Sequence, residues 1–179
     1  MKKLFYFIAL ILSIETYSQS SQCFFKQTNA PINIYESKSS MTPFAIIEQD
    51  SILENYYSVE ILDISLKRYK VKVLSTTASP SSDAFIEGWV DKNMCYVWLW
   101  EMFPDNNIFI FEKPLRNSDY VDVILDNSQN VTLPILDVKN GWYYITVING
   151  EKSISGWTKN VCTNIWGSCE HGNPYPNTH

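Results

Sequence analysis

The chain has 179 residues, 14 of them basic and 19 acidic, for a formal net charge of −5, and it is rich in rings, with 6 Trp, 11 Tyr and 9 Phe. An acidic chain does not suit phosphate backbones. Its densest basic stretch, Lys67-Arg68-Tyr69-Lys70 with Lys72, alternates as a strand solvating one face does, so nucleic acid is excluded as a partner.

In chain order, Met1-Lys2-Lys3 is a short basic region. Leu4 to Ile14 is an apolar run broken only by Ser13, and small residues at 16–20 supply a cleavage site. Residues 1–20 therefore read as a secretory signal peptide, and the apolar run is short of the roughly 20 residues needed to cross a bilayer. Cys23 lacks the small residue expected just ahead of a lipid-modified cysteine, being preceded by Ser21-Gln22. Removing Lys2, Lys3 and Glu15 with the signal leaves 12 basic and 18 acidic side chains, 12 − 18 = −6. The expected location is outside the cytoplasm, secreted or periplasmic, with no membrane span in the mature chain.

Short runs rich in β-branched and aromatic residues then predict strands over 32–35, 44–47, 57–61, 69–73, 108–111, 121–125, 131–136 and 142–148, with no helical periodicity. Turn formers separate them at 104–107, 126–128, Asn140-Gly141 and Asn149-Gly150, and "STTASPSSD" at 75–83 reads as a polar loop. This is an all-β pattern. It is also a repeated one. "GWVDKNMC" at 88–95 returns as "GWTKNVC" at 156–162, Ile32-Asn33-Ile34-Tyr35-Glu36 returns as Ile108-Phe109-Ile110-Phe111-Glu112, and Tyr69-Lys70-Val71-Lys72-Val73 returns as Tyr143-Tyr144-Ile145-Thr146-Val147. The blocks recur in one order at offsets of 76, 74 and 68, so a fold of about 65 residues is written twice.

A first strand like Ile32-Asn33-Ile34, a later Trp142-Tyr143-Tyr144-Ile145 and a closing Gly-Trp resemble the bacterial Src-homology-3-like (SH3-like) domain, over roughly 24–100 and 105–167. The chain departs from that pattern where Tyr35-Glu36-Ser37-Lys38 and Phe111-Glu112-Lys113-Pro114 follow the first strands, and where Arg68 stands for Trp142. The resemblance implies two tandem small SH3-like β-barrels, a first over 21–103 and a second over 104–169, followed by a polar tail over 170–179. It further implies attachment rather than catalysis, to cell-wall (peptidoglycan) peptides or to an envelope protein. The alternative is a periplasmic inhibitor or immunity protein that binds a toxin or a cell-wall hydrolase.

Among small barrels the Gly of Gly88-Trp89 and Gly156-Trp157 is expected to let the chain turn past a neighbour, while the indole covers an open end of the core. Trp142 is read as structural on the same ground. The aromatics least demanded by such cores are Tyr35, Tyr57, Trp98, Trp100 and Phe111, and these are the expected ligand-binding residues. Trp98 and Trp100 lie in "YVWLWEMF", 96–103, read as the link between copies. Cys23, Cys95, Cys162 and Cys169 make an even count for an oxidising compartment. Sequence alone allows three connectivities, and first and last strands adjoin in a small barrel, so Cys23–Cys95 and Cys162–Cys169 are the expected disulfides.

No catalytic residue is expected, since no Ser-His-Asp set, phosphate loop or H-E-x-x-H occurs. The pairs Asp119/Asp122 and Asp126/Asp137 read as solvated surface. No cofactor or metal is expected either. Cys162, Cys169 and His171 lack a C-x-x-C partner, and Val131 stands where a calcium loop needs Gly.

Overall fold

A computed structural model describes residues 21–26, 30–48, 57–75, 86–99, 107–124, 131–159 and 161–163. It is all-β, and a single 3-10 turn, Lys92–Met94, is the only helical element among the described residues. The strands are β1 (Ser21–Phe25), β2 (Ile32–Ile34), β3 (Ala45–Ile47), β4 (Tyr57–Ile64), β5 (Arg68–Ser75), β6 (Glu87–Asp91), β7 (Cys95–Leu99), β8 (Asn107–Phe111), β9 (Tyr120–Ile124), β10 (Val131–Pro134), β11 (Asp137–Lys139), β12 (Trp142–Asn149) and β13 (Lys152–Thr158).

All pairings are antiparallel. One sheet runs β10-β7-β1-β4-β5-β6, a second runs β11-β12-β13-β8-β9, and β2 and β3 form a two-stranded ribbon. Each order has two free ends among the described residues, so these ladders are open sheets and not closed barrels. Local chemistry fixes the hairpins. Asn140 and Gly141, both at positive φ (51° and 72°), make the two-residue β11–β12 turn, and Gly150 at φ 61° opens the β12–β13 turn. The run expected as one strand over 131–136 ends as a strand at Pro134; the Ile135 N–H still donates to the Cys95 carbonyl at 3.0 Å, the Leu136 N–H already donates to the Tyr144 carbonyl of β12 at 2.9 Å, and a separate strand, β11, begins at Asp137.

Of the stretch read as a linker, 96–99 belong to an interior strand, β7, and 100–103 lie outside the described residues. β7 pairs with β1 through Phe24↔Tyr96 and Phe25↔Cys95, and with β10 through Val131↔Leu99, Thr132↔Trp98, Leu133↔Val97 and Pro134↔Tyr96. A six-stranded sheet thus carries strands from both copies, and one apolar core holds Val59, Tyr69 and Val71 together with Ile108, Ile110 and Ile145. The equivalent Tyr69 and Tyr143 tie the copies together. The Tyr69 hydroxyl donates to the Ile135 carbonyl at 3.2 Å, and the Tyr143 hydroxyl donates to the Gln22 carbonyl at 2.7 Å. Burial pushes both phenols well above the ordinary tyrosine range.

The repeat is visible in the contacts. Tyr35 and Trp89 exchange two backbone hydrogen bonds of 2.8 Å, and Phe111 pairs with Trp157 at the equivalent point of the second copy. Both Gly-Trp pairs lie inside strands and not at turns, and neither glycine has a positive φ. Close approach explains them instead. A Cβ on Gly88 would stand 2.4 Å from Ile34 Cγ2 and 3.0 Å from the Tyr35 carbonyl oxygen; one on Gly156 would stand 2.6 Å from Ile110 Cγ2 and 2.7 Å from the Phe111 carbonyl oxygen. Glycine is what lets the first strand of each copy cross over the strand bearing the tryptophan.

Candidate binding face

In the second copy, strand alternation sends Ile108, Ile110, Tyr143 and Ile145 into the core, and sends Phe109, Phe111, Trp142 and Tyr144 to the opposite face. The register then stacks rings across four strands. Tyr144 lies opposite Trp157, Trp157 opposite Phe111, and Phe111 opposite Tyr120. Ring centroids are 5.3 Å apart for Tyr144–Trp157 and 5.5 Å for Phe111–Tyr120. Phe109 meets Tyr120 edge-on at 5.4 Å, and Trp142 meets Phe111 edge-on at 5.2 Å. Phe109, Phe111 and Trp142 are buried and form a cluster separate from the main core. Tyr144 and Trp157 are half-buried and Tyr120 is 47% exposed, so the face has a packed floor and an accessible aromatic rim.

Offsets of 76, 74 and 68 set Asn33, Tyr35, Phe44, Arg68, Lys70 and Trp89 in the same places in the first copy. There three of the six positions are polar, and Arg68 and Lys70 are paired with neighbouring groups. Arg68 lies 3.5 Å over the Tyr35 ring, pairs with Asp91 at 2.9 Å, and donates to the Ser37 and Ser40 carbonyls at 3.3 and 2.7 Å. Lys70 pairs with Glu87. In the second copy Trp142 replaces Arg68. Lys159, one register step beyond Thr158 and equivalent to Asp91, holds its ammonium 5.3 Å from the Trp142 ring centroid.

The expected ligand residues are not brought together. Tyr35 is buried beneath Arg68, and Phe111 is 3% exposed in the floor of the second-copy face. Tyr57 is half-buried and packs on the main core at the start of β4. Trp98 lies on the outer side of β7, 5.4 Å from the Phe24 ring, with its indole nitrogen buried and unpartnered among the described residues, and Trp100 lies outside them. Trp142 and Trp157, read as structural, and Phe109, Tyr120 and Tyr144, not singled out at all, surround Phe111. Superposing the copies in the sequence would have found them, since Asn33, Arg68 and Lys70 become Phe109, Trp142 and Tyr144.

Cys23 and Cys95 are free, fully buried thiols, which corrects the bridge expected between them. The β1–β7 register sets Cys95 opposite Phe25, so Cys23 stands diagonally, two residues along, and the thiols meet through a hydrogen bond. Burial, then Cys95, pushes the Cys23 thiol well up, which makes it a poor nucleophile. Cys162 is disulfide-bonded, and Cys169, its expected partner, lies outside the described residues. Cys162 also exchanges backbone hydrogen bonds of 2.9 and 2.8 Å with Trp98. Among the described residues no group of three or more His, Cys, Asp or Glu could hold a metal ion, and no helix is long and apolar enough to cross a membrane.

No protein-family model matches the chain, and comparison with curated proteins and with solved structures found no match.

Proposed function

We propose that this is a secreted, non-catalytic binding protein made of two divergent SH3-like copies, and that it attaches to cell-wall peptides or to an envelope protein through the aromatic face of its second copy. The observation that carries this reading is the ladder Tyr144–Trp157–Phe111–Tyr120, with Phe109 and Trp142 beside it: all six equivalent positions are aromatic in one copy only. A core needs rings on its inner side. Rings held on the outer side, with an accessible rim, offer large contact area at little entropic cost to a ligand. The first copy, whose face is closed by Arg68 and Asp91, is the scaffold on which the second is mounted.

Retention on purified peptidoglycan, with envelope proteins scored in parallel, tests this. Trp157→Ala and Tyr120→Ala are expected to weaken retention by about 2 kcal/mol or more while leaving the fold intact. Selective capture of one envelope hydrolase or toxin instead of wall material would select the inhibitor reading, and release of soluble wall fragments by the wild type would overturn the non-catalytic one.

A further inference from the structure

The first copy leaves two aliphatic side chains almost wholly in water at its turns. Met41 is 89% exposed in the loop joining β2 to β3, and Leu66 is 91% exposed in the turn joining β4 to β5. The second copy shows what these turns need in order to fold. Ile34 pairs with Ala45 across the first loop as Ile110 pairs with Val121 across its counterpart, and Ile64 pairs with Tyr69 as Val138 pairs with Tyr143. The connections are therefore equal in length, and Asn117 stands in the place of Met41 and Asn140 in the place of Leu66. Asparagine is a turn former, so both positions fold with polar residues; an aliphatic side chain held in water there adds nothing to the fold.

Single exposed aliphatic residues are ordinary, but these two belong to turns that one residue ties together. The Arg68 guanidinium donates to the Ser37 and Ser40 carbonyls at 3.3 and 2.7 Å. The Arg68 backbone closes the other turn, its N–H donating to Ser65 Oγ at 3.0 Å and its carbonyl accepting from the Ser65 N–H at 2.8 Å. The first loop is braced within itself as well, with the Ser37 and Ser40 hydroxyls 2.8 Å apart, and the Lys67 carbonyl accepts from the Lys92 N–H at 3.0 Å. Both tips are mounted on one hydrogen-bonded base at one end of the first copy.

We infer that this end of the first copy dips into the surface of a phospholipid bilayer, with Met41 and Leu66 as the inserted anchors. At about 100 Å² each, the two side chains offer about 200 Å², far below the roughly 800 Å² per partner of a stable protein interface. Side chains so exposed also sit on a convex surface, which a protein partner must meet with a matching pocket, whereas the boundary between headgroups and acyl chains closes around them. Lys38 and Lys67 are exposed in the same two segments and suit lipid phosphates, while Glu36 and Asp63 are exposed there too. Those four charges cancel, so the apolar anchors and not net charge carry the attachment.

The full chain is sedimented with vesicles of phosphatidylethanolamine and phosphatidylglycerol, and with vesicles of phosphatidylcholine alone. Binding to both is expected, little weakened by added salt. Met41→Asn and Leu66→Asn should each lower partitioning by about tenfold or more, with unchanged melting curves because neither side chain is packed, and Trp157→Ala should leave partitioning unchanged. Failure of the wild type to sediment with either vesicle, or undiminished sedimentation of the double variant, would overturn the inference. Loss of binding in Trp157→Ala but not in the tip variants would place the lipid contact on the aromatic face and overturn it equally. If the wild type instead dimerises without lipid in analytical ultracentrifugation and the double variant does not, the anchors belong to a second copy of the chain and the inference falls.

Discussion

Gly156→Ala is the sharpest probe of how the second copy is built. The added methyl would sit 2.7 Å from the Phe111 carbonyl oxygen and 2.6 Å from Ile110 Cγ2, both closer than 3.0 Å, and the first of these is backbone that no rotamer change can move. β8 must therefore shift away from β13 by several tenths of an ångström, loosening the Trp157↔Phe111 pair at the middle of the ladder. Overpacking of a tight core costs about 1–3 kcal/mol, and a backbone clash belongs at the upper end, about 3 kcal/mol. At about 2–4 °C per kcal/mol for a chain of this size, the melting temperature should fall by roughly 6–12 °C. Gly88→Ala is the internal control. Its closest clash, 2.4 Å, is with the side-chain methyl of Ile34, and the nearest backbone atom is at 3.0 Å, so about 1–2 kcal/mol is expected. Adding Ile34→Ala should recover part of the Gly88→Ala loss beyond additivity, whereas Ile110→Ala should recover little of the loss at Gly156. Urea denaturation and thermal melts read both cycles. A Gly156→Ala protein as stable as the wild type, or less damaged than Gly88→Ala, would refute the close-approach account of the Gly-Trp pairs.

Tyr143→Phe removes the 2.7 Å, part-buried hydrogen bond to the Gln22 carbonyl and Tyr69→Phe the buried 3.2 Å bond to the Ile135 carbonyl, and each is expected to cost about 1 kcal/mol in a denaturant titration. Because the fold holds both phenols neutral, their contribution is complete below the unfolded value of about 10 and is lost as pH rises above it, where the unfolded chain ionises first. Absorbance at 295 nm should therefore show Tyr69 and Tyr143 ionising only with alkaline unfolding, while normal titration of every tyrosine in an intact fold would contradict their burial. Arg68→Ala removes the Asp91 pair, two loop carbonyl contacts and the stack on Tyr35, and should destabilise the chain by about 2–3 kcal/mol. Arg68→Lys should not restore it, since an ammonium lacks the planar fork, and full recovery in a thermal melt would argue against that geometry.

Much of the architecture was legible in the residues. The alternation in Tyr69 to Val73 and Trp142 to Ile148 is a local, period-two property and marks strands wherever they end up. Asn140-Gly141 and Gly150 carry their turn chemistry with them. The ordered return of the Ile-x-Ile, Tyr-x-x-x-Val and Gly-Trp blocks marks the duplication without any coordinates. What alternation cannot say is which strand lies beside which. Cys95 to Leu99 alternates like any strand, but only its pairing with both β1 and β10 makes it an interior strand of a sheet shared by the two copies. The free state of Cys23 and Cys95 follows from that register, which sets them diagonally. The aromatic face is of the same kind. Phe111, Trp157, Tyr144 and Tyr120 are far apart along the chain and become one ladder only through three interstrand registers, and a register is fixed by non-local packing of the opposite, apolar face.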